Sequence, residues 1–279
     1  MKIVKLMGGL GNQMFQYAFG KVIGADAYDL SWFEEVKKHP EATQRTYELN
    51  FFNCCPKFLS SKDSLRLQKN NKFLQILGIR TKHSLIQENP VNVYNANLLT
   101  LKRGIFEGYF QCAQYYDSVR EQLLKEFIPQ ENISEKNKTI LEKIKSTNSI
   151  SLHVRRGDYL KLKHIHGICD LDYYQRAIEF ITSKIKNPHF FLFSDDIPWV
   201  EKNLKINFPY TVVDVNHGKD SAWDMWLMKN CQHNIIANSS FSWWGAWLNE
   251  NPNKIIIAPK KWFADGTVTE IIPQDWERM

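Results

Sequence analysis

The amino-acid sequence predicts an α/β protein made of two domains. Its second half alternates apolar strand-like runs with amphipathic helical runs, the pattern of a mostly parallel sheet covered by helices on both faces. The chain has 279 residues, which is enough for two halves of roughly 140 residues each. A polar, Lys- and Glu-rich stretch between Pro129 and Asn148 separates the halves. We therefore expect an N-terminal domain of residues 1–148 and a C-terminal domain of residues 149–279.

The N-terminal domain begins with a strand, a glycine turn and a helix. An apolar run over 3–7 is followed by Gly8-Gly9-Leu10-Gly11, and apolar residues then recur at helical spacing from Met14 to Val22. The turn is neither a GxGxxG motif nor a P-loop, because Met14 holds the third glycine position and no Lys-Ser or Lys-Thr pair follows. The less regular region that follows predicts a helix over 61–77 and strands over 91–94 and 105–110.

The C-terminal domain has a more regular pattern. A polar helix is expected over 135–145. Strands are then predicted over 150–154, 190–193, 210–215, 234–237 and 254–258, with helices over 173–186, 199–204, 222–231 and 241–250. Parallel sheets of this kind bind ligands outside the carboxyl ends of their strands. Residues that directly follow a strand are therefore the candidates for chemistry.

Composition narrows the class of protein. Hydrophobic residues make up 43% and charged residues 24%, which excludes a disordered or low-complexity chain. The formal charge of +6 is scattered along the chain and is too mild to predict nucleic-acid binding. Five cysteines without CxxC spacing predict a reduced, intracellular protein. With no secretory signal and no run of about 18 apolar residues, we expect a cytoplasmic protein without a membrane segment.

The segment His153-Val154-Arg155-Arg156-Gly157-Asp158 directly follows the first strand of the C-terminal domain. Two adjacent arginines at a strand end favour an anionic ligand, because guanidinium offers a planar fork of donors that matches phosphate. The alternative is that Asp158 pairs with one arginine at the surface. The residues alone leave both interpretations open.

A second segment, from Asn238 to Trp247, follows the fourth predicted strand and opens a helix. Its serines are typical helix N-caps, and Trp243, Trp244 and Trp247 are spaced like core residues. Hydroxyl groups beside the free N–H groups of a helix start also form an anion site. This segment therefore predicts either a capped core helix or a phosphate site.

Two further patterns resemble metal-binding motifs. His164, His166 and Cys169 lack a fourth ligand at a standard spacing. Asp170-Leu171-Asp172 matches the DxD of metal-dependent glycosyltransferases, but it directly precedes a predicted helix, where Asp is expected as a cap and as a first-turn charge. We predict that neither pattern holds a metal.

Three segments together resemble glycosyltransferase family 11, the inverting α-1,2-fucosyltransferases. They are Gly8-Gly9-Leu10-Gly11-Asn12-Gln13-Met14-Phe15-Gln16-Tyr17-Ala18, the HVRRGD segment and the segment from Asn238 to Trp247. The resemblance implies a GT-B-like α/β fold, with two Rossmann-type domains facing a cleft. It implies transfer of L-fucose from GDP-fucose to the 2-hydroxyl of a galactose-terminated glycan, with inversion. Because we predict no carboxylate pair that holds a cation, we also expect no metal cofactor.

The resemblance also implies roles for individual residues. Arg155 is expected on the β-phosphate of GDP, with Ser239, Ser240 and the N–H of Phe241 completing the phosphate site and Asn12 reaching it from the other domain. Asn238 and His153 are assigned to donor binding, with His153 near guanine. Arg156 and Asp158 are expected to orient the loop, with Asp158 as an alternative general base. The base is otherwise left open.

Asp224 is a further candidate for the nucleobase. In more distant GDP-fucose enzymes a carboxylate sixteen residues before a phosphate-binding serine reads guanine, and Asp224 precedes Ser240 by that spacing. A carboxylate suits guanine because N1–H and the exocyclic amine are adjacent donors. The alternative is that Asp224 complements the dipole of its own helix.

Rival functions are a fucosyltransferase of another linkage and a non-catalytic glycan- or RNA-binding protein. The sequence predicts GDP-fucose and a glycan as partners, and it does not specify the acceptor or the oligomeric state.

Overall fold

The computed structural model describes residues 1–60, 62–64, 66, 84–157 and 167–279. The chain forms two compact units, the first of Met1–Gln130 with Thr269–Pro273 and the second of Glu131–Val268 with Gln274–Met279. Whereas the sequence predicts a boundary after residue 148, the chain passes between units after residue 130. The helix over 135–145 belongs to the second unit because its Ile144 is buried in that unit's core. Most of the helix predicted over 61–77 lies outside the described residues.

The first unit is built on a four-stranded parallel sheet of order β2-β1-β4-β3. The strands are β1 (Lys2–Lys5), β2 (Ala27–Asp29), β3 (Leu85–Gln87) and β4 (Gly104–Glu107). The helices are α1 (Leu10–Ile23), α2 (Ser31–Val36), α3 (Ala96–Thr100) and α4 (Arg120–Glu126). The predicted strand, glycine turn and helix at the N-terminus are therefore confirmed.

The irregular part of the first unit differs from the expectation. Residues 91–94 form turns and bends instead of a strand. Asn92 has a φ of 58°, which is left-handed backbone, and its N–H donates to Glu88 Oε1 at 2.8 Å. A side chain thus supplies the partner that a strand ladder would have supplied. Strand β3 was not predicted at all.

The second unit carries a six-stranded sheet whose pairs are all parallel. Its strands are β5 (Asn148–Val154), β6 (Pro188–Ser194), β7 (Tyr210–Val213), β8 (His233–Ile235), β9 (Ile256–Ala258) and β10 (Glu277–Arg278). Its helices are α5 (Glu135–Lys145), α6 (Leu171–Lys184), α7 (Ile197–Asn203), α8 (Ala222–Asn230) and α9 (Ser240–Trp247). Every helix and strand predicted here is confirmed, and β10 is additional.

The order of this sheet is β10-β9-β8-β5-β6-β7. The chain builds outward from β5 in one direction and then returns to build outward from β8 in the other, so the order reverses between these two neighbours. Such a switch point leaves a crevice at the carboxyl ends of the two strands, where open α/β sheets bind their ligands.

Two hydrophobic clusters cover the faces of this sheet. Ile150, Leu152 and Val154 of β5 pack with α6 in one cluster. Phe191 and Phe193 of β6 pack in the other cluster with Ile144 of α5 and with Leu227 and Met228 of α8. Because side chains alternate along a strand, His153 points to the face opposite Val154. It therefore lies on the side of the sheet that α8 covers.

Candidate functional site

The two signature segments of the second unit meet at its switch point. The arginine segment leaves the carboxyl end of β5, and the serine segment leaves β8 and opens α9. Strands β5 and β8 are direct neighbours and parallel, with Leu152 opposite Ile235. Both segments therefore emerge from the same edge of the sheet, at the place where a ligand is expected.

The loop that carries the two arginines is held by Asp195, which follows β6. The backbone N–H groups of Arg156 and Gly157 donate to the two carboxylate oxygens of Asp195 at 2.8 and 3.0 Å. Arg155 Nε lies 3.2 Å from Asp195 Oδ2. A Cβ atom on Gly157 would approach that oxygen to 2.6 Å, so glycine is needed for this contact. Asp195 was not among the predicted site residues, although the sequence placed it directly after a strand.

Arg156 is bound within the second unit. Its Nε lies 3.1 Å from Asp196 Oδ2, and its guanidinium lies 3.8 Å from the centroid of the Trp199 ring. Asp196 also caps α7 by accepting the N–H of Trp199. This geometry suits a residue that anchors the loop, the role that the resemblance implied for Arg156.

His153 presents a buried, unpartnered nitrogen at the end of β5. Its side chain is buried, and its Nδ1 has no hydrogen-bond partner among the described residues. The ring lies beside Phe241 of α9, with 5.9 Å between centroids. Burial, with a contribution from the charge of Arg155, lowers the pKa of His153 to about 3. A neutral imidazole with an unsatisfied nitrogen is costly unless a ligand supplies the missing bond.

The start of α9 has an unusual cap. Ser239 occupies the N-cap position in extended backbone, but its side chain makes no capping hydrogen bond. The expected serine cap is therefore absent at Ser239, while Trp243 and Trp244 are fully buried as predicted for core residues. First-turn N–H groups have no partner within their own helix. The hydroxyl of Ser239 and the N–H groups of Ser240 and Phe241 thus form the kind of helix start that binds anions.

Asn238 is bonded to the protein around it. Its Nδ2 donates to the carbonyl of Trp262 at 3.0 Å, and its Oδ1 accepts from Cys169 Sγ at 3.5 Å. These contacts hold the turn that leads into α9. Both polar atoms of the Asn238 side chain are therefore bonded within the protein, and its assignment to donor binding stays a prediction.

Asp224 lies in the first turn of α8. Its Oδ1 accepts from Asn216 Nδ2 at 2.8 Å. Burial, opposed by this hydrogen bond and reinforced by the charge of Asp214, raises the pKa of Asp224 to about 7. Helices α8 and α9 pack closely: at Gly245 of α9, an added Cβ atom would lie only 3.0 Å from Met228 of α8. The helix bearing Asp224 therefore lies directly against the helix that opens with the serine segment.

Asn12 belongs to the first unit, in the first turn of α1. Its Oδ1 accepts from Gln111 Nε2 at 2.8 Å, and Gln111 follows β4. Gly8 has a φ of 76°, and a Cβ atom there would lie 2.6 Å from Asn12 Nδ2. Asn12 thus lies beyond the carboxyl ends of the neighbouring strands β1 and β4, and its reach to the phosphate stays a prediction.

Two glutamines of the glycine motif have a structural role that the sequence analysis missed. Gln16 accepts the N–H of Met7 and donates to the carbonyl of Gly108, and Gln13 donates to the carbonyls of Gly8 and Thr46. Both side chains are completely buried. Both glutamines lie on the helix face opposite the apolar residues Met14, Phe15 and Ala18, so the helical spacing gave no signal for them.

The aspartates of the DxD pattern act as expected for a helix start. Asp170 caps α6 by accepting the N–H of Tyr173 at 2.7 Å, and Asp172 pairs with Arg176 at 2.8 Å. Asp158, His164 and His166 lie outside the described residues. Within the described part of the chain no three metal-ligating side chains cluster, and no helix is long and apolar enough to cross a membrane. Each of the five cysteines is a free thiol.

Comparison with known proteins identifies the class. A family model described as Glycosyl transferase family 11 matches residues 1–278. The Escherichia coli O-antigen biosynthesis glycosyltransferase WbnK is 34% identical, over 97% of this chain and 98% of that protein. An α-1,2-colitosyltransferase from Escherichia coli is also 34% identical, over 99% and 98%. The mouse galactoside 2-alpha-L-fucosyltransferase Sec1 is 28% identical, over 51% of this chain and 41% of that protein.

A solved structure shows the same fold. The crystal structure of fucosyltransferase NodZ from Bradyrhizobium matches with a TM-score of 0.51 and 13% identity, over 88% of this chain and 91% of that chain. The predicted GT-B-like α/β fold is thereby confirmed. The family model and the Escherichia coli relatives define a glycosyltransferase, and the chain belongs to glycosyl transferase family 11.

Proposed function

We propose that the protein is an inverting α-1,2-fucosyltransferase, which moves L-fucose from GDP-fucose to the 2-hydroxyl of a terminal galactose on a glycan. The observation that carries this proposal is the junction of the arginine and serine segments at the switch point of the second unit. The unpartnered Nδ1 of His153 at the same strand end supports a ligand there. The names of the family 11 relatives support an α-1,2 linkage and a galactoside acceptor.

In this proposal the diphosphate binds between Arg155 and the start of α9. Negative charge grows on the β-phosphate as the bond to fucose breaks, so cations and N–H dipoles fixed at that position stabilise the transition state more than the ground state. Arg155 supplies the cation, and Ser239, Ser240 and the N–H of Phe241 supply the remaining donors. Asp195 keeps the arginine loop in place before the substrate arrives.

The nucleobase is assigned to Asp224, in the first turn of α8, the helix that packs against α9. Asp224 would accept from N1–H and the exocyclic amine of guanine, which are adjacent donors on one edge of the base. The neutral His153 would satisfy its Nδ1 through the donor nucleotide. Inversion also requires a group that takes the proton of the acceptor hydroxyl, and Asp158 remains the candidate for this general base.

A second donor is favoured by one comparison. The α-1,2-colitosyltransferase relative is as similar to this chain as the other Escherichia coli glycosyltransferase. Colitose is fucose without the 3-hydroxyl group. A site built to bond that hydroxyl would reject colitose strongly, whereas an apolar site would not. GDP-colitose is therefore the alternative donor.

The test is incubation of the purified protein with lactose and either GDP-fucose or GDP-colitose. We expect release of GDP and a trisaccharide in which NMR shows an α-linkage to the galactose 2-hydroxyl. A product with fucose on another hydroxyl group would show that the assigned linkage is wrong. Faster turnover with GDP-colitose than with GDP-fucose would show that GDP-colitose is the donor. Unchanged acceptor across a panel of galactosides, with sugar still bound, would favour a non-catalytic glycan binder.

A further inference from the structure

We infer that Asn216 and Asn137 position the carboxylate of Asp224 for the nucleobase, as an amide relay from α5 to α8. The inference rests on the proposed function, because Asp224 is taken there as the residue that reads guanine. The relay adds two positioning residues that lie outside the sequence motifs of the family resemblance.

The relay consists of three hydrogen bonds, two between Asn137 and Asn216 and one between Asn216 and Asp224. Asn137 Nδ2 donates to Asn216 Oδ1 at 2.8 Å, and Asn216 Nδ2 donates back to Asn137 Oδ1 at 2.9 Å. Asn216 Nδ2 also donates to Asp224 Oδ1 at 2.8 Å. The two hydrogens of the Asn216 amide are therefore both used, one toward α5 and one toward α8.

The reciprocal amide pair determines which way Asn216 faces. If the Asn216 amide turned over, its oxygen would face the Asp224 carboxylate and its nitrogen would face Asn137 Nδ2, so both contacts would become repulsive. Asn137 and Asn216 are 2% and 8% exposed, so water does not readily replace the lost bonds. Asn137 thus fixes the Asn216 donor on Asp224 Oδ1. No hydrogen bond of the described residues engages Asp224 Oδ2, which leaves that oxygen for a ligand.

The hydrogen bond from Asn216 also lowers the pKa of Asp224 and so favours its charged form. Burial and the nearby Asp214 raise the pKa of Asp224 to about 7, and the hydrogen bond from Asn216 acts in the opposite direction. Asp214 in turn lies 3.7 Å from His217. Without the Asn216 donor, Asp224 would be protonated at higher pH. A protonated carboxyl group presents a donor to the donors of guanine and so loses the base contact.

The three residues come from separate parts of the second unit. Asn137 is in the first turn of α5, Asn216 is in the loop between β7 and α8, and Asp224 begins α8. A residue needed only to cap a helix would bond within its own turn. This arrangement instead links a helix that precedes β5 to a carboxylate in the candidate nucleotide site.

The experiment compares binding of GDP and inosine diphosphate by calorimetry between pH 6 and 8. The two nucleotides share the diphosphate and differ at the 2-amino group, so the ratio of their affinities isolates the base contact. The variants are Asn216→Ala, Asn137→Ala and Asp224→Asn. Asn230→Ala is the matched control, because it removes a side-chain bond at the far end of the same helix, to the carbonyl of Trp226. Melting temperatures are measured for all four variants.

We expect Asn216→Ala to weaken GDP by about tenfold, the loss of a charge-assisted hydrogen bond, and to bring the affinity ratio close to that of Asp224→Asn. The pH at which GDP preference is half lost should rise in Asn216→Ala, while Asn230→Ala keeps the wild-type ratio and pH midpoint. Asn137→Ala, which leaves the Asn216 donor present but unfixed, should give a smaller change in the same direction. It also serves as the test if Asn216→Ala does not fold.

Three results would overturn the relay, and they separate its failure from the failure of the proposed function. If Asp224→Asn loses GDP preference while Asn216→Ala and Asn137→Ala keep it, the relay is wrong and Asp224 still reads the base. Weakening of both nucleotides by the same factor in Asn216→Ala would likewise mean a purely structural role. If Asp224→Asn itself keeps full GDP preference, the base assignment is wrong and the relay falls with it.

Discussion

At the scale of single residues, the arginine loop is organised by the carboxylate of Asp195. It accepts two backbone N–H groups of the loop and lies against Arg155 Nε. The sequence predicted either an anion beside the two arginines or a pair between Asp158 and one of them, and Asp158 lies outside the described residues. Asp195 and Asp196, at the end of the neighbouring strand, pair with Arg155 and Arg156. The loop is therefore preorganised, which reduces the cost of ordering it when the donor binds.

The first prediction concerns Arg155. Replacement by Ala should abolish transfer, and replacement by Lys should restore little, because an ammonium group cannot reproduce a planar two-donor contact. Folding should survive, since the side chain is 23% exposed and lies outside the core. Turnover and melting temperature measure the two effects. Arg176→Lys, in a surface pair with Asp172, is the control. Near-normal turnover of Arg155→Lys would rule out the bidentate role.

The second prediction concerns the pH dependence of stability through His153. The folded protein holds His153 neutral with a pKa of about 3, below its ordinary value of 6.5. The unfolded chain therefore gains a proton that the folded chain does not as the pH falls below 6.5. This group should lower the free energy of unfolding by about 1 kcal/mol at pH 5.5 relative to pH 7.5.

The measurement is urea unfolding of the wild type and His153→Phe across this pH range. His153→Phe should lose less stability between pH 7.5 and 5.5, because it has no imidazole to protonate. Asp224 acts in the opposite sense, since its raised pKa of about 7 makes the folded state bind a proton more tightly. Its contribution is greatest at low pH and is lost as the pH rises from 3.8 toward 7. Identical slopes for both proteins would contradict the assigned state of His153.

At the scale of secondary-structure elements, the hydrogen bonds at two helix starts separate an aspartate that caps its helix from a serine that does not. Helix α6 has a satisfied cap, with Asp170 bonded to the N–H of Tyr173. Helix α9 has Ser239 at the same position without a capping bond. Asp170 and Ser239 are both residue types typical of an N-cap, so the local sequence suggests a cap in each case. The difference agrees with a structural role for Asp170 and supports the proposal that the start of α9 binds an anion.

The third prediction tests this distinction at α6. Asp170→Ala should cost about 1 kcal/mol of stability through the lost cap. Asp172→Ala should change stability little, because its pair with Arg176 is exposed. Both variants should transfer sugar at the wild-type rate at temperatures where they are folded. Denaturant unfolding and turnover are the measurements. Loss of activity with unchanged stability in both variants would make these residues ligands of a substrate or a metal.

At the scale of the whole molecule, we propose that the protein's own side chains and N–H groups neutralise the negative charge of the GDP leaving group. Metal-dependent glycosyltransferases use a cation held by carboxylates to neutralise the diphosphate. In the proposed site, Arg155 and the start of α9 supply that charge from two adjacent strand ends of one sheet. The DxD aspartates are engaged at α6. We therefore propose that the transfer proceeds without a metal.

The fourth prediction follows from this charge arrangement. Transfer should persist in excess EDTA, and added magnesium or manganese should change the rate only modestly. Initial rates with and without chelator measure the effect, and the Asp172→Ala variant should behave like the wild type. Complete loss of activity in EDTA, with recovery on adding manganese, would refute the metal-free mechanism and return Asp170 and Asp172 to consideration as ligands.

The strands and helices of the second unit could be recognised from the sequence alone, together with the segments in which functional residues were expected. Strand and helix periodicities are local signals, so β5, β6 and α8 could be recognised from their own residues. The arginine and serine segments were found for the same reason, since each directly follows a predicted strand. Asp224 was found by its spacing from Ser240.

The hydrogen-bond partners of these residues could be known only from the folded chain, as could the unit to which α5 belongs. Asn137 and Asn216 are 79 positions apart, and Arg156 bonds to Asp195 across 39 positions. No local pattern encodes such pairs, because they form only when the strand order brings distant loops to one edge of the sheet. The passage between units at residue 130 has the same cause, since α5 is polar in sequence and is assigned by what Ile144 and Asn137 contact.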